Sequence, residues 1–157
     1  MEGERLNLQY LESLPEVNNI HNFQLEPGEK AVYVTSILDL GNEKGIRLGR
    51  GMVKTPFTLT NRRIFVKTDV VSNDIWTFDL DNIQELSRVD TGRLKLFKGH
   101  HYRVLFRKPI IYRAPKNIWD SPSFYNKIVD HELPEAQFYF QKEDEPAFEE
   151  ILHGLNT

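Results

Sequence analysis

Seven short runs of alternating apolar and polar residues recur along the chain, and near its end the period changes to a helical one. The runs are "KAVYVTSIL", "MVKTPFTLT", "RRIFVKT", "DIWTFDL", "NIQELSRVD", "HYRVLFR" and "AQFYFQ". Alternation places successive side chains on opposite faces, so each run reads as a strand with one buried side. In "EDEPAFEEILHGL", by contrast, Phe148, Ile151, Leu152 and Leu155 fall at i, i+3, i+4 and i+7 and make one apolar stripe on a helix. Asp144 stands where an N-cap belongs, with Glu145 and Pro146 in the first turn and Gly154 near the end. Seven strands and one terminal amphipathic helix predict a mainly β protein. Its form is a small, strongly bent antiparallel barrel whose open end the helix closes.

The connections sharpen this reading. "EPGE" puts Pro27 and Gly28 in a turn before the first strand, Lys30 to Leu38. "DLGNEKGIRLGRG" carries Gly41, Gly45, Gly49 and Gly51 and predicts a long loop or an irregular hairpin. Within "FTLTNRRIFVKTD" the alternation is broken by Thr60, Asn61, Arg62 and Arg63. Two explanations compete for the paired arginines: a charged site for a ligand, or a tight turn with basic exposed residues. At the N-terminus Leu6, Tyr10 and Leu14 recur at i, i+4 and i+8 before Pro15, which predicts an added helix on the barrel or on a neighbour. From Pro109 to Pro134 the chain reads as a helical or loop insertion, with a short helix in "PSFYNKIVDHEL" capped by Ser121 or Ser123. The domain reading is an N-terminal helical extension over 1–24 and one barrel domain over 25–157.

Composition excludes several classes of chemistry. A chain of 157 residues, 39% hydrophobic and 27% charged, suits one globular unit. It has no cysteine for a disulfide, a thiolate nucleophile or a thiolate zinc site. The five histidines, His21, His100, His101, His131 and His153, form no HExxH or other helical ligand pair, so no metal and no cofactor is expected. Phosphate-loop, dinucleotide and nucleophile-elbow patterns are all missing. Ser121, Ser123, Asp120 and His131 are near in sequence, which does not make a triad. The charged start "MEGERLNLQYLESL" has no leader-like apolar core, and no apolar run is long enough to span a bilayer; a cytoplasmic, non-enzymatic protein is expected.

Charge is unevenly spread beneath a net −3. Between Leu86 and Lys116 nine bases face the single acid Asp90, an excess of eight that leaves the rest of the chain at −11. Such a segment either attracts an anionic partner or solvates strand edges, where Lys and Arg discourage stray pairing. Phe97 and Tyr102 alone do not build a stacking platform, so no nucleic acid is expected. A second basic run, "EKGIRLGRGMVK", sets Lys44, Arg47, Arg50 and Lys54 among glycines, whose backbone N–H groups can approach phosphate while Arg binds it bidentately. A solvated loop accounts for it equally well.

"EPGEKAVYVTSI", "FTLTNRRIFVKT", "IWTFDLDNIQEL", a late "FYFQ" and the closing helix, in that order, resemble the GRAM and bacterial pleckstrin-homology-like (PH-like) family. The resemblance spans about Leu25 to Asn156 and is most specific from Leu59 to Phe65. It implies a PH-like barrel, and it implies that Thr60 to Arg63 is a structural hairpin signature. On physical grounds the Thr60 and Asn61 side chains can bond turn backbone groups, and Arg63 can lay its stem along the sheet while its head stays wet or meets a carboxylate such as Asp79 or Asp81. The resemblance further implies that residues 44–54 correspond to the loop that holds inositol phosphates in eukaryotic PH domains. Members of this family often associate. A protein partner or homo-oligomer is therefore expected, contacted through the apolar insertion at Ile118, Trp119, Phe124, Tyr125 and Ile128. The alternative is peripheral attachment to anionic lipid headgroups through Lys44, Arg47, Arg50 and Lys54 with the basic segment 86–116. The insertion itself departs from the family pattern.

Overall fold

The computed structural model describes residues 6–41, 55–68, 74–89, 101–115, 128–140 and 142–157. A short helix α1 (Leu8–Ser13) precedes β1 (Ala31–Gly41), β2 (Thr55–Thr60), β3 (Arg63–Thr68), β4 (Asp74–Asp79), β5 (Ile83–Val89), β6 (His101–Pro115) and β7 (Ile128–Phe140), and α2 (Glu145–Leu155) closes the chain. Among the described residues the strands form one antiparallel sheet in the order β4-β3-β2-β1-β7-β6-β5.

β1 makes the bend. Its first part pairs with β2 from Ala31↔Thr60 to Ile37↔Thr55. From Ile37↔Phe140 to Gly41↔Gln137 it pairs with β7, with the register shifting between Ile37 and Asp39. One strand thus belongs to two sheet halves, and the bulge supplies the extra twist that folds one half over the other. A 3-10 turn, Leu80–Asn82, joins β4 to β5 across the second corner, with Leu80 buried.

The alternating residues fill the space between the halves. Phe57, Leu59, Ile64, Val66, Phe78, Val104, Phe138 and Phe140 are all at most 1% exposed. α2 caps them as its stripe predicts, burying Phe148, Ile151, Leu152 and Leu155. Phe148 stacks on Phe140 at 4.4 Å and lies edge-on to Tyr102 at 4.7 Å and Phe57 at 6.2 Å. Each such side chain contributes about 1.5–3 kcal/mol by burial.

Several expectations need adjusting. Asp144 makes no side-chain cap bond; the chain enters α2 through a 3-10 turn, Lys142–Asp144, which brings Asp144 in with helical backbone angles and turns its side chain away from the cap role. The N-terminal stripe packs on the barrel as expected, with Leu6 in the core and Tyr10 and Leu14 partly buried against it, but the helix is only Leu8–Ser13 and its fully buried residue is Leu11. The short helix expected in "PSFYNKIVDHEL" does not hold for residues 128–133, which belong to β7. Ile110↔Leu133, Ile111↔Glu132, Tyr112↔His131, Arg113↔Asp130, Ala114↔Val129 and Pro115↔Ile128 extend the β6–β7 ladder into a two-stranded arm. Pro109, Pro115 and Pro134 stand at the ends of the paired runs, where a missing N–H costs no ladder bond. At the root of the arm β6 advances from Leu105 to Ile110 while β7 moves only from Glu135 to Leu133, a wide bulge around two of those prolines.

Candidate functional site

The two arginines find their explanation at the β2–β3 turn. Thr60 Oγ1 accepts from the N–H of Arg62 at 3.0 Å and of Arg63 at 2.8 Å, so one hydroxyl satisfies the turn's exposed donors. It donates in turn to Glu29 at 2.6 Å. Asn61 Oδ1 accepts from the Lys30 N–H at 2.9 Å, and its amide donates to Glu12 at 2.8 Å. The acid that meets Arg63 is Glu29, not Asp79 or Asp81. The guanidinium donates from Nε to Oε2 at 3.0 Å and from Nη2 to Oε1 at 2.5 Å, a two-pronged pair with a side chain that is 0% exposed. Asp79 lies across the β3–β4 ladder from Arg63 and adds only to its field.

Glu29 reaches this position through a tight turn. Its N–H bonds the Glu26 carbonyl at 3.0 Å around Pro27 and Gly28, and Gly28 has φ +83°. Pro followed by a positive-φ Gly is the type II pattern "EPGE" predicts. Burial would raise the Glu29 carboxyl, but the Arg63 guanidinium, the Thr60 hydroxyl and the Glu26 N–H outweigh it and hold the pKa at about 2. Arg63 also lies over Phe65 at 4.5 Å, and Phe65 stacks on Phe23 at 5.0 Å. The Lys30 ammonium donates to the Glu12 and Leu14 carbonyls at the end of α1. The hairpin is therefore a latch that ties residues 6–30 to the barrel, and every arginine donor within it is turned toward the protein's own groups or to solvent.

Two bases of the middle segment, Arg88 and Arg103, are met by acids from elsewhere. Arg88 lies 3.5 Å from Glu149, and Arg103 lies 3.4 Å from Glu85 and 3.5 Å from Glu135. Glu149 also accepts from the Tyr102 hydroxyl at 2.8 Å; burial, then that carboxylate, pushes the phenol far above its usual range. Arg107 and Lys108 remain exposed, without an acid partner among the described residues. The Asn82 amide holds the Lys108 backbone, donating to its carbonyl and accepting from its N–H at 3.0 Å each. It closes the β5–β6 ladder as a strand backbone would.

Lys44, Arg47, Arg50 and Lys54 lie outside the described residues, as do Ile118, Trp119, Phe124 and Tyr125. Ile128 opens β7 opposite Pro115. What remains of the expected contact region is the arm. Ile111 upon it is 62% exposed, and the other exposed large apolar residues among those described are Ile20 and Val17 near the N-terminus. Sequence reading missed Glu29 and Asn82. The second glutamate of "EPGE" was the available signal for the first, while nothing in one sequence announces that Asn82 will mimic a strand.

No group of three metal-ligating side chains occurs among the described residues, and no helix among them is long and apolar enough to cross a membrane. No family model and no curated protein matches the chain. The solved structure of the Vps36 N-terminal PH domain is similar to it over 93% of this chain and 95% of that one, with a TM-score of 0.53 and 17% identity. The fold is PH-like. At that identity the likeness extends to architecture, and the site must be argued from the residues themselves.

Proposed function

We propose that the chain is a non-enzymatic, cytoplasmic binding module of GRAM-type PH-like fold that works through protein contacts, chiefly with further copies of itself. The observation that carries this reading is the β6–β7 arm, a two-stranded extension with an exposed Ile111 at its middle. The base of this ribbon joins the core through Leu133 and Ile110, while Ile111 beyond them faces solvent, and exposed strand ribbons are suited to joining chains. The polar groups at the hairpin, where a ligand site was conceivable, satisfy one another instead. The test is the mass of the whole chain by sedimentation velocity over a wide concentration range. Mass rising with concentration supports the reading, and a monomer throughout refutes it.

A second reading is peripheral attachment to anionic membrane through Lys44, Arg47, Arg50 and Lys54, aided by the segment 86–116. What favours it is that Arg107 and Lys108 stand exposed at the root of the arm, and that β1 ends at Gly41 opposite Gln137, running toward that same root. Each base held near such a surface contributes about 1 kcal/mol. Co-sedimentation with phosphatidylserine vesicles at low salt should be lost when the four loop residues become Ser. No sedimentation of the unmutated chain ends this alternative.

A further inference from the structure

Residues 17–22, between α1 and the turn before β1, combine apolar exposure with an unusual backbone. Of the three exposed large apolar residues among those described, two are here, Val17 and Ile20 at 37% and 61%. Asn22, with φ +58°, is the one non-glycine residue among them in the left-handed region. The chain reverses here through local bonds. The Ile20 N–H donates to the Asn18 carbonyl at 2.9 Å and the Asn22 N–H to the Asn19 carbonyl at 3.0 Å, while the Asn19 amide donates to the Phe23 carbonyl at 2.7 Å. The reversal has its own tie to the barrel through the His21 ring, which donates to the Thr35 carbonyl at 2.9 Å. Both flanks are anchored. Before it, Leu6 and Leu11 are buried in the core, the Asn7 N–H donates to the Leu155 carbonyl at 2.7 Å, Tyr10 lies against Gly154, and Glu12 accepts from Asn61. After it, Phe23 stacks on Phe65. A short, exposed reversal between two anchored segments is what exchange between copies requires of a hinge.

Resting on the self-association reading, and adding a contact to that of the arm, we propose that this reversal opens and two copies exchange residues 6–17, each α1 seating on the other's barrel. The occupant of the seat follows from the fit already present. Burial of Leu6 and Leu11, the bond to Leu155, the approach of Tyr10 to Gly154, the Glu12 bond to Asn61 and the Val17 N–H bond to the Ala31 carbonyl are all repeated by a second copy. Each copy gives one segment and receives one, so the exchange closes at a two-fold dimer. The two forms differ at the hinge alone. Opening frees Asn22 from a conformation that costs L-residues energy, and carries the two hinges past each other near the axis, where Val17 and Ile20 are covered. It gives up the bonds of the reversal and the His21 tie, whose groups water then satisfies at small net cost.

The chain has no cysteine, so thiols can be placed singly for the test. Glu12→Cys is made in one preparation and Arg62→Cys in another, Arg62 being exposed and next to Asn61, which bonds Glu12. The two full-length chains are mixed, unfolded together in urea, refolded at high concentration and treated with a short bismaleimide. The expected result is a covalent mixed dimer on a denaturing gel, with a matching dimer in sedimentation velocity. Asn22→Val, whose branched side chain resists the left-handed region, should tighten the dimer about tenfold or more, because two hinges are relieved at once. Asn22→Gly accepts that region freely and should not tighten it. Ile20→Ser, at an exposed site, should weaken it severalfold. Circular dichroism checks that each variant folds. A dimer without cross-links between the two preparations puts the contact elsewhere and ends the exchange while sparing self-association. Cross-linking indifferent to Asn22→Val marks an ordinary surface contact and also overturns it. A monomer at every concentration ends both.

Discussion

Replacing Glu29 by Gln keeps the shape of the side chain and removes its charge, which isolates what the buried pair with Arg63 contributes. The folded carboxyl sits at about 2, against 4.5 for the unperturbed group. At about 1.4 kcal/mol per unit the difference is roughly 3 kcal/mol, and about 2–3 kcal/mol once solvent reaching the neighbouring Glu26 is allowed for. Because the folded value is depressed, this stability is fully present above pH 4.5 and disappears as pH falls toward 2. Urea unfolding between pH 7 and 2 measures it. Glu29→Gln should be about 2–3 kcal/mol less stable at pH 7, and the two curves should converge in acid, where the native residue is itself neutral. Since Gln can still accept one bond from Arg63 and one from Thr60, most of the loss is electrostatic. A gap of constant size across that range would mean that the pair stabilises by packing alone, and the account of the hairpin as a charged latch would be wrong.

Phe148→Ala should cost about 3–5 kcal/mol by thermal or urea unfolding, because the ring touches Phe140, Tyr102 and Phe57 at the centre of the cap. Thr58 is fully buried and its hydroxyl has no hydrogen-bond partner among the described residues, so Thr58→Val should raise stability by about 1 kcal/mol; a loss would reveal a partner for that oxygen. A methyl group at Gly154 would run into the ring of Tyr10, so Gly154→Ala should cost about 1–3 kcal/mol and loosen α1, seen as faster proteolysis near Ser13.

Fold class was legible because period is a local property. Alternation in "RRIFVKT" and the i, i+3, i+4, i+7 stripe of α2 each need only a dozen neighbouring residues to be read, and burial follows from them. The turn "EPGE" was legible for the same reason, since Pro and Gly fix their own backbone angles. Partners distant in sequence were not. Glu29 and Arg63 are 34 residues apart, and Asp79 and Asp81 are among the aspartates nearer to Arg63 along the chain; only the folding of the 26–29 turn onto the β2–β3 hairpin decided which acid it meets. The arm was misread because prolines mark both loops and the ends of strands, and what separates these cases is a partner strand, supplied by β6 to β7 across a stretch of chain that no local pattern spans. Residue types thus determined where strands, turns and one helix can form, while the pairing that turns a base and an acid into a latch is a matter of distances that exist only once the sheet has closed.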